Sequence, residues 1–431
     1  MQTNIIIIGG GVSGLIAARQ LSASGQKVIL LEAAERFGGR INTVSDPQFD
    51  IVLETGAEFI HGKLPLTIKL LNEYAISFFK TKGEMVNNKN GEWQHDTEPV
   101  KSWNLMLEKM KTLTTDVPLD DFLEELFPGE KKLADKKSIR RFAEGFDLAD
   151  TKIASTIALR EEWMHEENEQ YRVVGGYSRL IDELVADCKQ NYVDLMTSAE
   201  AKIIRWKKNS VEVSTTNGAI FTGEKIIVTV PTGILQNGAI NFDPPLTEYM
   251  IAAGKVGYGT VIKLFFRFDE AFWQEHKKNA GFIISDQIIP TWWTQLPNPN
   301  KILTGWLGGP GAKALHGADE AIITRLGLRS LAHIFSVTVP YLESILHAVK
   351  IIDWSAVPFI NGAYTFATTE TTAARKILQA PVDETIFFAG EGIHKADAPG
   401  TVEAALHSGF VTAETIINEY IIPEKTGLPG F

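Results

Sequence analysis

Two groups of residues in this chain have types and spacings suited to chemistry. The first is Gly9, Gly11 and Gly14 in NIIIIGGGVSGLIAARQL, followed by Glu32 at the end of KVILLE. Glycines so spaced allow a tight turn, a close approach of backbone to a pyrophosphate, and close packing of helix on strand. An acid at the end of the next strand suits ribose hydroxyls. The second is Lys263, inside GTVIKLFFRF. An ammonium in an apolar run is costly unless it gains a partner or loses its proton. A lysine in a dry pocket can orient a water or move protons. Each group also has a plainer reading: a glycine-rich turn that binds nothing, and a strand lysine that snorkels at a sheet edge.

The elements that must position these residues are legible. Residues 4–8 form a short apolar strand, LIAARQLSASG has helical periodicity and stops at Gly25, and KVILLE is the next strand. Strand, glycine turn, helix, strand and acid thus occur together, with the helix N-terminus placed to receive phosphates. EAAERFGGRINT follows at once, and its Arg36, Gly38, Gly39 and Arg40 suit a further pyrophosphate clamp. Strand alternation places Val261, Lys263, Phe265 and Arg267 on one face, and the wholly apolar set Ile262, Leu264, Phe266 and Phe268 on the other. The apolar set packs inward, which leaves the lysine facing a cavity.

The chain has 431 residues, 44% hydrophobic and 22% charged, which suggests two or three domains with a large core. Cys188 is the single cysteine, so an internal disulfide is excluded and a Cys-based metal site is not expected. His394 and His407 lack the further ligands that a metal site needs. The net charge of −11 argues against nucleic acid and is compatible with cationic small molecules. The N-terminal apolar run has the wrong flanks and too many glycines for a signal peptide, and no run is long enough to span a bilayer. The expected setting is cytoplasmic, without membrane association, as a monomer or homodimer.

Further segments extend the pattern: ETGAEFIHG (54–62), VVGGYSRLIDEL (173–184), IIVTVPTGIL (226–235), WSAVPFINGAY (354–364) and FFAGEGIHKADAPGTVEAALHSG (387–409). Together with the two groups above, they resemble the flavin-containing amine oxidase family from residue 4 to residue 409, with weaker coverage between about 80 and 170. The resemblance implies an α/β fold: a discontinuous Rossmann-type FAD-binding domain (1–78, 172–254 and 376–431) and a mixed α+β substrate-binding domain (79–171 and 255–375). It implies FAD as cofactor, contacted by Gly9, Gly11, Gly14, Glu32, Arg36, Gly38, Gly39, Arg40, Gly56, Ala57, Glu58, Ala201, Trp354, Gly390, Glu391, Thr401 and Val402. It also implies that Lys263 holds a water at the flavin N5, and that a hydride equivalent leaves the carbon beside a neutral amine. The resulting imine hydrolyses, and dioxygen reoxidises the flavin to give hydrogen peroxide.

Within the family, members with covalently attached flavin carry Cys where this chain has Ala363, so the FAD is expected to be non-covalent. Tyr364 matches one wall of the family's aromatic cage, and Thr401 stands at the second wall. That pair, with His61 in GAEFIHG, is similar to the polyamine and spermine oxidases, and the expected catalytic set is Lys263, Tyr364, Thr401 and His61. A small amine, polyamine first, is the expected substrate. A monoamine or an L-amino acid is the alternative, the latter needing an arginine clamp for which Arg267 is available. A flavin-binding protein without turnover is the alternative from another class. REEWMHEENEQY, with Glu161, Glu162, Glu166, Glu167 and Glu169, is either an acidic mouth for a polycation or a solvated helix face. Trp292, Trp293 and Trp306 either line a tunnel or, as is usual for Trp, pack the core.

Overall fold

In a computed structural model of the chain, residues 4–94, 102–129, 132–165, 169–394 and 398–421 are described. The apolar strand and its neighbours form a five-stranded parallel sheet, ordered Asp194–Met196, Val28–Leu31, Ile5–Ile8, Lys225–Val228 and Ile386–Phe388. Its central strand is four isoleucines, buried on both faces as parallel strands require. Ile5 and Ile7 pack under the helices Val12–Ala23, Ser178–Gln190 and Val402–Thr415. Ile6 and Ile8 pack on the opposite layer, with a four-stranded sheet that includes Ala201–Lys207 and the helices Thr247–Gly254 and Thr371–Gln379.

A second, seven-stranded sheet is ordered Leu346–Asp353, Val261–Phe268, Ile302–Gly308, Thr291–Trp293, Ala280–Ser285, Glu84–Lys89 and Glu92–Gln94. All its pairs are antiparallel except Ala280–Ser285 with Glu84–Lys89. Every strand of this sheet comes from 79–171 or 255–375, and every strand of the parallel sheet from 1–78, 172–254 or 376–431. The strand Val261–Phe268 is flanked on both sides, so Lys263 is no edge residue. Its even positions enter the core under the helix Glu320–Phe335, as the alternation predicts. Helices Trp103–Lys111, Leu119–Leu126, Leu133–Phe146 and Thr156–His165 enclose a smaller core of their own. A three-stranded sheet, ordered Ile60–His61, Gln170–Val173 and Phe78–Lys80, bridges the two halves. Among the described residues no single helix is long and apolar enough to cross a membrane.

Candidate active site

The two groups of residues singled out in the sequence open on one cavity of about 2530 Å³. Gly9, Gly11, Glu32, Arg36, Gly38, Gly39 and Arg40 line one end of it. The strand Ile5–Ile8 ends at Gly9, where φ is +106°, and the helix begins after Gly11 with no side-chain cap and no acidic residue in its first turn. A Cβ at Gly14 would lie 2.0 Å from the Gly9 carbonyl oxygen, so the protein's own packing demands that glycine. A Cβ at Gly11 would meet nothing within 4 Å, so the protein's own packing does not demand that glycine and its bareness suits a ligand. Ser13 Oγ in the same turn is buried without a hydrogen-bond partner, although its position went unnoticed in the sequence. An uncapped helix N-terminus, an orphaned hydroxyl and an open glycine fit the pyrophosphate of a dinucleotide. Glu32, raised by burial above the usual carboxylate range, accepts Gly10 N at 2.6 Å and Ala34 N at 2.8 Å. Each oxygen keeps a lone pair for a hydroxyl donor.

The second glycine-rich segment is organised differently from the expected clamp. Arg36 lines the cavity, but its guanidinium donates to the carbonyls of Phe37, Gly39 and Ile41 at 2.7–3.2 Å and so shapes its own loop. Arg40 donates to Ala363 O at 2.6 Å and pairs with Glu391 at 2.7 Å. Glu391 accepts the Thr365 hydroxyl with its other oxygen, at 2.6 Å. Gly56, where a Cβ would lie 1.9 Å from Arg40 O, lets residues 54–58 run close beneath this loop. Trp354 Nε1 holds the same segment through Thr55 O at 2.9 Å. Ala57, Ala201, Gly390 and Val402 also line the cavity.

At the other end the cavity is walled by Lys263, Glu58, His61, Tyr364, Thr401 and Trp293, with Phe59 and Phe146. The lysine found its partner: Nζ lies 2.7 Å from Glu58 Oε2, and it also donates to Glu54 O at 2.5 Å and Gly56 O at 3.3 Å. Glu58, expected among the cofactor contacts, lies on the wall, yet it spends its oxygens on side chains. Its Oε1 accepts Arg172 Nε at 2.9 Å and Trp293 Nε1 at 3.1 Å. Burial alone would raise the Glu58 carboxyl, but Lys263 and Arg172 outweigh it and hold it below its ordinary value.

His61 touches the rings of Phe59 and Phe146, and burial pulls its imidazole down to about 4. It is therefore a neutral ring at neutral pH. Tyr364 donates to Phe146 O at 2.5 Å; burial first, then the charges of Asp147 and Glu162, push its phenol well above the ordinary value. Gly400 lies against the Tyr364 ring, which a Cβ there would approach to 2.9 Å. Thr401 lines the cavity, but its hydroxyl donates to Ala398 O at 2.6 Å and caps the helix Val402–Thr415 through Ala404 N at 3.3 Å. The wall it offers is its methyl face.

Other expectations divide. Trp292 is core, whereas Trp293 and Trp306 line the cavity. Arg267 does not line the cavity: it pairs with Asp50 at 2.9 Å and donates to Gln48 O at 2.6 Å, so it is no substrate clamp. Glu161 and Glu162 are on the cavity, Glu169 pairs with Lys80 in solvent, and Glu166 and Glu167 lie outside the described residues. Arg172 went unremarked in the sequence. The one available signal was the need of a buried lysine for an acid, which named neither Glu58 nor the second cation.

The model of the family of flavin containing amine oxidoreductases matches residues 12–417. Mouse lysine-specific histone demethylase 1B is 28% identical over 96% of this chain and 52% of its own length. Polyamine oxidase 2 of Arabidopsis thaliana is 24% identical over 95% of this chain and 87% of its own. The chain thus spans about half the length of the mouse and human histone demethylases it matches. Among solved structures, wild-type putrescine oxidase bound to putrescine superposes with a TM-score of 0.81, at 21% identity, covering 97% of this chain and 99% of that one.

Proposed function

The chain belongs to the flavin-containing amine oxidoreductase family, and on that premise we propose that it is an oxidase of a small aliphatic polyamine, using non-covalent FAD and dioxygen. The observation that carries this reading is the continuity of one cavity from the Gly9–Gly14 cradle to the wall of Lys263, His61 and Tyr364. Its volume of about 2530 Å³ exceeds the roughly 1,000 Å³ upper range of ordinary ligand pockets, which leaves room for a dinucleotide and a second molecule. FAD bound there would supply the acceptor for a hydride equivalent from the substrate carbon and the redox link from it to dioxygen. Gly11, Ser13 and Glu32 would hold its dinucleotide part.

The residues at the far end divide the work. Asp147, Glu161 and Glu162 line the cavity on the Tyr364 side and favour entry of a cation. Lys263 and Arg172 outnumber Glu58, which leaves a net positive charge where the reacting nitrogen must be neutral. A substrate with ammonium groups remote from its reacting nitrogen satisfies both ends, as a polyamine does. The neutral His61 offers an acceptor for the amine proton, and the ring of Tyr364 offers a flat wall. Buried Trp293 and Trp354 and half-buried Phe59 make the wall there apolar. Ala363 offers no thiol, and Cys188 is buried against Leu15 and does not line the cavity, which supports a non-covalent flavin.

The test is anaerobic mixing of the FAD-loaded protein with spermine, spermidine, putrescine, monoamines, L-amino acids and a methylated-lysine peptide, followed by admission of air and assay of peroxide. Bleaching by spermine or spermidine with peroxide on reoxidation is the expected result. Bleaching by the peptide alone, or by monoamines or amino acids alone, would overturn the substrate class. A bound flavin that none of them reduces would overturn the enzymatic reading.

A further inference from the structure

We propose that Glu58 is a positioning residue for this chemistry: it fixes the Lys263 ammonium at the cavity wall and ties it to Arg172, which lies behind the wall. The inference rests on the proposed function for what Lys263 faces, and on geometry for the rest. The ammonium has three protons, and residues 54–58 meet all of them, through Glu54 O, Gly56 O and Glu58 Oε2. The two carbonyls give direction, and Glu58 is the carboxylate that hydrogen-bonds the ammonium. The side chains of Lys263, Glu58 and Arg172 are 1%, 4% and 9% exposed, so solvent does little of the neutralising.

Arg172 reaches Glu58 Oε1 from the neighbouring strand, Gln170–Val173, with Nε and NH2 both at 2.9 Å. It is itself fixed by Thr294 O at 3.2 Å and Leu296 O at 3.4 Å, with its guanidinium 4.8 Å from the Phe59 ring centre. The carboxylate therefore cannot rotate away from Lys263 without giving up the Arg172 Nε bond to Oε1. The triad joins the strands Val261–Phe268 and Gln170–Val173 to the connection between Leu53–Glu54 and Ile60–His61, and Arg172 does not line the cavity. A purely architectural pair would do the same joining, so the test must read the flavin.

The test is Glu58→Gln in the wild-type and Lys263→Met backgrounds, with two readouts: the midpoint potential of bound FAD, and the reductive half-reaction resolved into amine Kd and limiting rate. The expected result is a displaced potential and about a tenfold loss in limiting rate, with Kd within about threefold, and both effects absent when Lys263 is already Met. Equal effects in the two backgrounds, or a change in Tm alone, would overturn the proposal. If Glu58→Gln does not fold, Arg172→Lys keeps the charge and loses the Nε bond to Glu58, and its effect on the potential should disappear in the Lys263→Met background. Normal values in that variant would equally overturn it. The potential needs no amine, so failure of wild-type reduction by every amine would be read apart from failure of the triad.

Discussion

The two ends of the cavity are built on opposite terms. At the dinucleotide end the site is made by what is left out: Gly9, Gly11 and Gly14 sit within six residues, and their missing side chains create turn, cradle and packing. At the amine end it is made by what is brought in. Glu58, Arg172 and Lys263 stand more than 90 residues apart in sequence and meet as one buried ion-paired triad. A site of the first kind tolerates no added atom, whereas a site of the second kind tolerates no subtracted charge.

The sharpest way to break that contrast is within the first end. Gly14→Ala forces a Cβ to 2.0 Å from a backbone oxygen that cannot swing aside. It should cost about 3 kcal/mol or more and yield little soluble, flavin-loaded protein. Gly11→Ala meets no protein atom within 4 Å and has φ of −72°, so the apoprotein should melt as wild type does. Its FAD affinity should nevertheless fall by about tenfold or more, measured by flavin fluorescence on titration. Equal apoprotein stability for both variants would remove the distinction between a glycine required by packing and one required by the ligand.

The second end is probed by Lys263→Met. Glu58 keeps Arg172 and Trp293, so the protein should fold and bind FAD within about threefold of wild type, while anaerobic flavin reduction slows by about 100-fold. Loss of FAD binding instead would make the lysine a structural counter-ion rather than part of the reacting wall. Tyr364→Phe should do less. It removes the bond to Phe146 O, worth about 1 kcal/mol of stability, while the ring wall remains and the limiting rate changes by less than about tenfold.

The same contrast governs what could be read from the sequence. The parallel sheet and its glycine turn were legible because periodicity and glycine spacing are local signals, each confined to the residues around them. Lys263 was legible as a buried charge in want of a partner, and strand alternation correctly separated it from Ile262 and Leu264. Its partner was not, since Glu58 and Arg172 meet it only through side-chain bonds between segments far apart in sequence. Arg36 and Thr401 were placed on the cavity but not in their bonding, because loop carbonyls and a helix cap compete for the same donors that a ligand would use. Arg267 shows the limit of facial reasoning: it shares an alternation class with Lys263, yet near the strand's far end it reaches Asp50 and not the cavity.

The smallest expected effect, and the one that reads the amine end without any substrate, is in the pH dependence of stability. His61 takes its proton at an ordinary 6.5 when unfolded and at about 4 when folded. Between those values the unfolded chain binds a proton that the folded one does not, so His61 makes the protein less stable as pH falls from 6.5 towards 4. Glu54, behind the same wall, acts in the opposite sense. Burial raises it to about 7, against the pull of Tyr177 N and the Thr43 hydroxyl. From an ordinary 4.5 up to 7 the folded chain keeps a proton the unfolded one has lost, so Glu54 makes the protein more stable as pH falls through that window. The two therefore offset one another in the wild type, and His61→Gln removes the member that destabilises at low pH. The difference in Tm between variant and wild type should grow in the variant's favour by a few degrees as pH is lowered from 7 to 4.5. Groups elsewhere titrate in both proteins and cancel in that difference. Parallel curves would mean that His61 is already charged or solvated in the folded protein, and the neutral acceptor at the amine end would be lost with it.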